Sequence, residues 1–267
     1  MDLFNSAINL VLSFWVTVFS WAPPVVGLSA MAALVGVGML WVFGKTSNQQ
    51  AMKAVKRKVH AALLELRVFA DEPAVSWRAQ KALFAANFRY MGLALRPALV
   101  MAAPVALLLI HMEGFYGRAP LEVGHEAVVT MAVKGPLSAE LRAPAGVSVE
   151  TPPVRIPDAG EISWRIRPVA AGRAVVQFTV QGAPVSKTIA SGAGERFAPG
   201  RSVRSLLEAI WNPDEKRIPS DAVQWIEVRY PESRMEVFGI DWNWLVWFLL
   251  VSMVAALVLK KRFGVVV

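Results

Sequence analysis

A strongly basic, helix-periodic segment lies between two long apolar runs, and that arrangement leaves few folds open to the chain. The segment, residues 44–96, begins GKTSNQQAMKAVKRKVHAALLELRVF and continues ADEPAVSWRAQKALFAANFRYMGLALR. The runs beside it are 25–43, which has no charge, and 93–110, whose one charge is Arg96. A third uncharged run, WLVWFLLVSMVAALVL, fills 244–259 and is extended by Trp242. A helix needs about 20 apolar residues to cross roughly 30 Å of hydrocarbon. The three runs are of that size, and they account for a mean hydropathy of +0.44 in a chain that is 18% charged.

Charge then sets the expected topology. Residues 44–96 hold 10 Lys/Arg against 3 Asp/Glu, whereas 112–243 hold 15 against 16. The tail adds Lys260, Lys261 and Arg262. The excess in the net charge of +8 therefore sits on two segments that three spans would place on one side. The positive-inside rule makes that side the cytoplasm. Residues 112–243 are then exported, into the periplasm if the source is a two-membrane bacterium. The high pI needs no nucleic acid, because juxtamembrane Lys and Arg attract anionic lipid headgroups. The chain has no cysteine, which excludes disulfides, thiolate catalysis and Cys-based metal sites. The N-terminus lacks the basic n-region and the cleavage site of a signal peptide.

Residues 2–21 are apolar with Asn5, Ser6, Asn9, Ser13 and Thr17 interspersed at helical spacing. They read as an amphipathic helix on the outer membrane face, ended by Pro23 and Pro24. A fourth span is the alternative. Trp15 and Trp21, with Trp242, Trp244 and Trp247 at the other outer boundary, suit interfacial anchoring. In the basic segment, Val55, Val59, Leu63, Leu66 and Phe69 form one apolar face of a first helical arm. Trp77, Leu83, Phe84 and Phe88 mark the returning arm, and Lys53, Lys56, Arg57 and Lys58 form a basic face suited to docking. Small residues of the first span, Gly36 and Gly38 among them, allow close helix packing. Pro97 and Pro104 are expected to kink the second span. Arg96 either snorkels to the cytoplasmic surface or stands at the mouth of a cytoplasm-facing groove.

Beyond residue 118 the pattern changes to short β-type runs between Pro/Gly turns. Ile162, Trp164 and Ile166 alternate with Ser163 and Arg165, and Val176, Phe178 and Val180 alternate with Gln177 and Thr179. This is antiparallel sheet with one buried face, expected to form an immunoglobulin-like sandwich. Residues 202–211 read as a short helix and 223–230 as a strand. The expected fold class is thus a mixed membrane protein: a three-helix transmembrane core with a cytoplasmic helical hairpin, and an exported all-β sandwich before the last span. Its parts are an interfacial helix (1–22), spans at 23–43, 93–111 and 241–260, the hairpin (44–92), the β-domain (112–240) and a cytoplasmic tail (261–267).

No catalytic constellation is present. The three histidines, His60, His111 and His125, form no ligand pair. There is no G-x-S-x-G, no phosphate loop, and the pairs Glu122/Glu126 and Asp214/Glu215 show no apolar pocket or partner acid in the sequence. The expectation is a non-enzyme without metal or cofactor.

Three features together resemble the YidC/Oxa-type insertase superfamily, which includes archaeal relatives and the insertase subunit of the ER membrane complex. They are the Pro23-Pro24 break ahead of the first span, the run from Lys45 to Lys53-Ala54-Val55-Lys56-Arg57-Lys58 just after it, and the Phe115-Tyr116-Gly117-Arg118 exit. The resemblance is one of layout and covers about half the chain. It implies nucleotide-independent insertion or assembly of membrane proteins through a polar, cytoplasm-facing groove, with Arg96, Arg89 and Asn87 at its mouth. A β-domain between the last two spans departs from the superfamily pattern. It favours the alternative, an accessory subunit of an inner-membrane complex whose exported sandwich binds a partner. In either case the partners are the lipid bilayer and other membrane proteins.

Overall fold

The computed structural model describes residues 1–69 and 71–265. Ala70, in the expected hairpin, and Val266 and Val267, at the end of the expected tail, lie outside the described residues. The chain divides into two compact units, residues 1–28 with 107–247, and residues 29–106 with 248–267.

The second unit is helical. It holds most of α2 (Pro24–Thr46), all of α3 (Gln49–Val68), most of α4 (Pro73–Met112) and most of α6 (Trp244–Leu259). Asn48 caps α3 by accepting from Ala51 N–H at 2.9 Å, which satisfies one of the donors that every helix start leaves free. The returning arm of the hairpin and the second apolar run are one continuous 40-residue helix, with Pro97 and Pro104 inside it. Two helices are long and apolar enough to cross a membrane, Pro24–Thr46 and Pro73–Gly117. The 16-residue α6 is a shorter apolar helix.

Close backbone approach holds α2 to α6. A Cβ on Gly36 would lie 2.3 Å from the Ser252 carbonyl oxygen, whereas one on Gly38 would meet nothing within 4 Å. The Ser252 hydroxyl is turned back to the Leu249 carbonyl, 2.9 Å away. The hairpin arms differ from expectation in the residues they bury. Met52, Val55 and Ala62 are buried on α3, and Ala79 and Ala86 on α4, while Leu63, Phe69, Trp77, Phe84 and Phe88 are exposed. Alanines line the narrow cleft between the arms, where a large side chain would not fit.

The first unit is built on two antiparallel sheets. One has the order β3-β5-β1-β9-β8, with β4 also on β5; the other is β2-β6-β7. Their strands are β1 (Ala127–Val133), β2 (Ala139–Arg142), β3 (Val147–Val149), β4 (Val154–Ile156), β5 (Glu161–Pro168), β6 (Gly172–Val180), β7 (Ala183–Ser191), β8 (Arg201–Val203) and β9 (Val223–Val228). The expected alternation holds: Ile162, Trp164 and Ile166 from the first sheet and Val176, Phe178 and Val180 from the second share one core. The Trp164 and Phe178 rings meet at 5.3 Å.

Gln181 and Gly182 turn β6 into β7 with φ of 50° and 82°, a two-residue turn with both φ positive that matches strand twist. Phe238 and Gly239, at 55° and 76°, do the same between β10 (Met235–Val237) and β11 (Ile240–Trp242). The short helix expected over 202–211 shrinks to α5 (Glu208–Trp211), because Ser202 and Val203 are taken into β8 to pair with β9.

Gly36→Val should lower the melting temperature of the full chain in detergent, followed by tryptophan fluorescence. Overpacking of this kind costs about 1–3 kcal/mol. Gly38→Ala should leave the transition unchanged.

Candidate functional site

On α1 (Asp2–Val18) the polar Asn5 and Asn9 face protein together with the apolar Leu12 and Val16, while Ser6 and Thr17 are exposed. Asn5 Nδ2 donates to the Ala209 carbonyl at 3.1 Å, and Asn9 Nδ2 to the Pro213 carbonyl at 2.8 Å. Asp2 accepts two bonds from the Arg217 guanidinium, at 2.9 and 3.2 Å. At the other end, Arg196 donates to the carbonyls of Phe19, Ser20 and Ala22. A cation there satisfies orphan carbonyls and suits the helix dipole. Trp15 Nε1 donates to the Gly27 carbonyl at 3.0 Å. The opposite face of α1 carries Leu3, Phe4, Leu10, Val11, Phe14 and Val18, all exposed.

Beneath α1 lie charges that the sequence did not reveal. Asp214 is buried and accepts from Arg118 at 2.6 Å and from Gly200 N–H at 3.0 Å. Gly114 lies against it: a Cβ there would stand 2.8 Å from Asp214 Oδ1. Glu215 takes bonds from Lys187 Nζ at 2.6 Å and from Thr188 N–H at 3.0 Å, and it also bonds the Ser202 hydroxyl. The Lys187 side chain is fully buried. Burial pushes the Glu215 carboxyl up, but the Lys187 ammonium and the three hydrogen bonds outweigh it and hold the group below its ordinary value. Burial also raises Tyr230, whose oxygen accepts from Ala190 N–H at 2.9 Å.

Asp214 and Glu215, which show no apolar pocket or partner acid in the sequence, thus each meet a basic partner. Those partners lie 96 and 28 residues earlier in the chain. The Lys187 position was legible in one respect. It shares the inward parity of Val185 and Ile189 on β7, all three buried, and a lysine at such a position needs a buried acid.

A polar cavity of about 490 Å³ lies between α1 and the β-domain, lined among others by Asn5, Asn9, Thr188, Asp214 and Glu215. The Oδ1 atoms of Asn5 and Asn9 are buried without a partner among the described residues. Both are acceptors, so the cavity wall asks for a donor. His111 is fully buried, with Nδ1 at 2.8 Å from the Leu107 carbonyl, and His125 pairs with Glu122 at 3.3 Å. Among the described residues no group of three His, Cys, Asp or Glu gathers as metal ligands.

The expected groove residues do not converge. Arg96 and Asn87 are exposed on α4, and Arg96 has no hydrogen bond or ion pair among the described residues. Arg89 lines the hairpin cleft of about 420 Å³ with Lys58, Glu65 and five alanines. Glu65 pairs with Arg78 at 3.1 Å across that cleft. The basic face of Lys53, Lys56, Arg57 and Lys58 is exposed on α3. An open apolar groove of about 620 Å³ lies between α2 and α6, lined by Ala30, Leu34, Gly38, Trp41, Ala255 and Leu259 among others. Of the expected anchors, Trp21 is well exposed, while the Trp242 ring meets Trp247 at 5.5 Å. Trp244 is instead buried, because its indole N–H reaches Glu113 at 3.2 Å. No protein-family model, curated protein or solved structure matches the chain.

Lys187→Met should destabilise the first unit by about 3 kcal/mol, the cost of stranding a buried carboxylate, and Lys187→Met with Glu215→Leu should recover much of that loss. The sign of the pH effect follows from the lowered Glu215. Its contribution is complete above the ordinary value of 4.5 and is lost as pH falls through the lower folded value. Acid unfolding monitored by near-ultraviolet circular dichroism should therefore be less pH-dependent in Glu215→Gln over the interval from 4.5 down to the folded value.

Proposed function

We propose that the chain is an insertase-like membrane protein of a bacterial inner membrane that assists insertion or assembly of membrane proteins without nucleotide. In this reading α2, the inner half of α4 and α6 cross the bilayer, and α6 gains length from the residues flanking it. The basic hairpin and tail are cytoplasmic. The β-domain, an immunoglobulin-like sandwich, is exported and rests on α1. The observation that carries the reading is the open apolar groove between α2 and α6, with the small residues Ala30, Ala33 and Gly38 on its wall. In a membrane, small side chains allow another helix to approach closely, so the groove suits transient packing of an apolar segment. The outward apolar face of α1 supports a position at the outer interface.

The alternative, an accessory subunit whose sandwich binds a partner, is favoured by one observation: Arg96 lines neither the hairpin cleft nor the apolar groove. A groove with so few polar groups offers little to a charged flank.

Photo-crosslinking in cells from positions 96 and 255, with position 149 on the β-domain as control, separates the two. Adducts with ribosome-arrested nascent chains carrying one apolar segment are the expected result. A single stable partner, or no adduct, would replace the insertase reading with the subunit one.

A further inference from the structure

The hairpin of β10 and β11 stands just ahead of α6 and leaves much of its apolar surface bare. In its ladder Met235 lies opposite Trp242, Glu236 opposite Asp241 and Val237 opposite Ile240. Residues opposed in this way share a face, and the faces alternate along each strand. One face is thus Met235, Val237, Ile240 and Trp242. The other is Glu236 and Asp241, with Arg234 3.9 Å from Asp241. Exposure on the apolar side grows toward the turn. Met235 is 6% exposed, Ile240 56%, and Phe238, in the turn itself, 94%, the highest of any large apolar side chain among the described residues. The fold does not account for Phe238. Its φ of 55° is one that asparagine and glycine adopt at less cost. In the matching turn between β6 and β7, Gln181 at φ 50° has a use, because its amide donates to the Lys134 carbonyl at 3.1 Å.

The base of the hairpin is fixed beside the ends of two apolar helices. Ala119 N–H donates to the Pro231 carbonyl and Ser233 N–H to the Gly117 carbonyl, each at 2.9 Å. Glu113, the first residue past α4, accepts from the indole N–H of Trp244, the first residue of α6, at 3.2 Å. The Trp242 ring lies 5.5 Å from that of Trp247 in the first turn of α6. The apolar face of the hairpin therefore runs on into the start of α6. Where two spans leave a bilayer is the headgroup layer. Aromatic rings are favoured at that depth, and an element apolar on one side and charged on the other lies flat there.

We propose that this hairpin is a membrane anchor of the β-domain, lying in the outer headgroup layer with Phe238 and Ile240 turned to the lipid tails and Glu236 and Asp241 to water. The proposal rests on α6 crossing the bilayer, as in the reading above, and not on client insertion. Its place selects lipid as the occupant. Strands of three residues reach only about 10 Å from Trp242, so the tip stays close to the level at which α6 enters. Residues 235–242 carry two acids and no base, so burial of apolar surface, and not attraction to anionic headgroups, holds the hairpin down.

The chain has no cysteine, so a single introduced cysteine carries a nitroxide without background. Full-length Phe238→Cys, Ile240→Cys, Glu236→Cys, Leu250→Cys and Val149→Cys are labelled in phosphatidylcholine nanodiscs. Spin relaxation by oxygen, which concentrates in lipid, is compared with relaxation by a water-soluble nickel chelate. The oxygen-to-nickel ratio at 238 and 240 should be several-fold above that at 149 and below that at 250, with 236 close to 149. Ratios at 238 and 240 equal to that at 149, with 250 still high, would overturn the anchor and leave α6 in the bilayer. A low ratio at 250 would overturn both. Shielding of 238 from both reagents would mean a protein contact and would overturn the anchor too. Phe238→Asn should leave the melting temperature of the full chain in detergent unchanged or higher. A fall would show that the ring serves the fold, and would count against lipid as its partner.

Discussion

Nine residues, 209–217, tie the first unit together. Their backbone carbonyls receive Asn5 and Asn9 of α1, and their side chains reach Asp2, Arg118 and Lys187. Lys187 belongs to the smaller sheet, and Ser202, which also bonds Glu215, to the larger. One irregular segment therefore binds a helix to both layers of the β-domain. Each buried charge along it has an opposite charge and hydrogen bonds, the condition under which burial of ions is tolerable. Such a network adds little net stability over an apolar core, yet removal of one member is costly. Its contribution is to fix where α1 lies on the domain.

The two units handle polarity in opposite ways. In the first, Asn5 and Asn9 of α1 point into protein beside Leu12 and Val16, and most of its large apolar groups point out. In the second, α4 exposes Trp77, Phe84 and Phe88 while Ala79 and Ala86 pack inward. Both helices invert the usual rule for a soluble surface helix. For α1 the inversion fits a position between a folded domain and lipid.

Hydropathy made the long apolar helices legible in the sequence, because a run of uncharged residues has few alternatives to a helix of that length. The alternation of Ile162, Trp164 and Ile166 made the sheets legible too. The facing of the hairpin was legible only in part: Val55 is buried as expected and Val59 and Leu66 are half-buried beside it, whereas Leu63 and Phe69 are exposed. Large residues such as Leu63 and Phe69 dominate any reading by hydrophobicity, but close packing of two arms selected Ala62, Ala79 and Ala86 instead. The candidate site was hidden for a different reason. Arg118 with Asp214, and Lys187 with Glu215, are pairings between distant positions, and a single chain carries no sign of which lysine meets which acid. Asn5 and Asn9 were visible as a stripe, but what they touch depends on a segment more than 200 residues away.

That separation has a consequence for how the molecule is made. The bonds from α1 to Ala209 and Arg217 bridge 204 and 215 positions, and Arg196 closes on Phe19 across 177. The helix α1 thus cannot take its place in the first unit before residues 196–217 have been made. Until residues 209–217 have been made, Asp2, Asn5 and Asn9 lack these partners, and α1 is a peptide with an apolar face and nothing to anchor the other. Closure of so long a loop is slow.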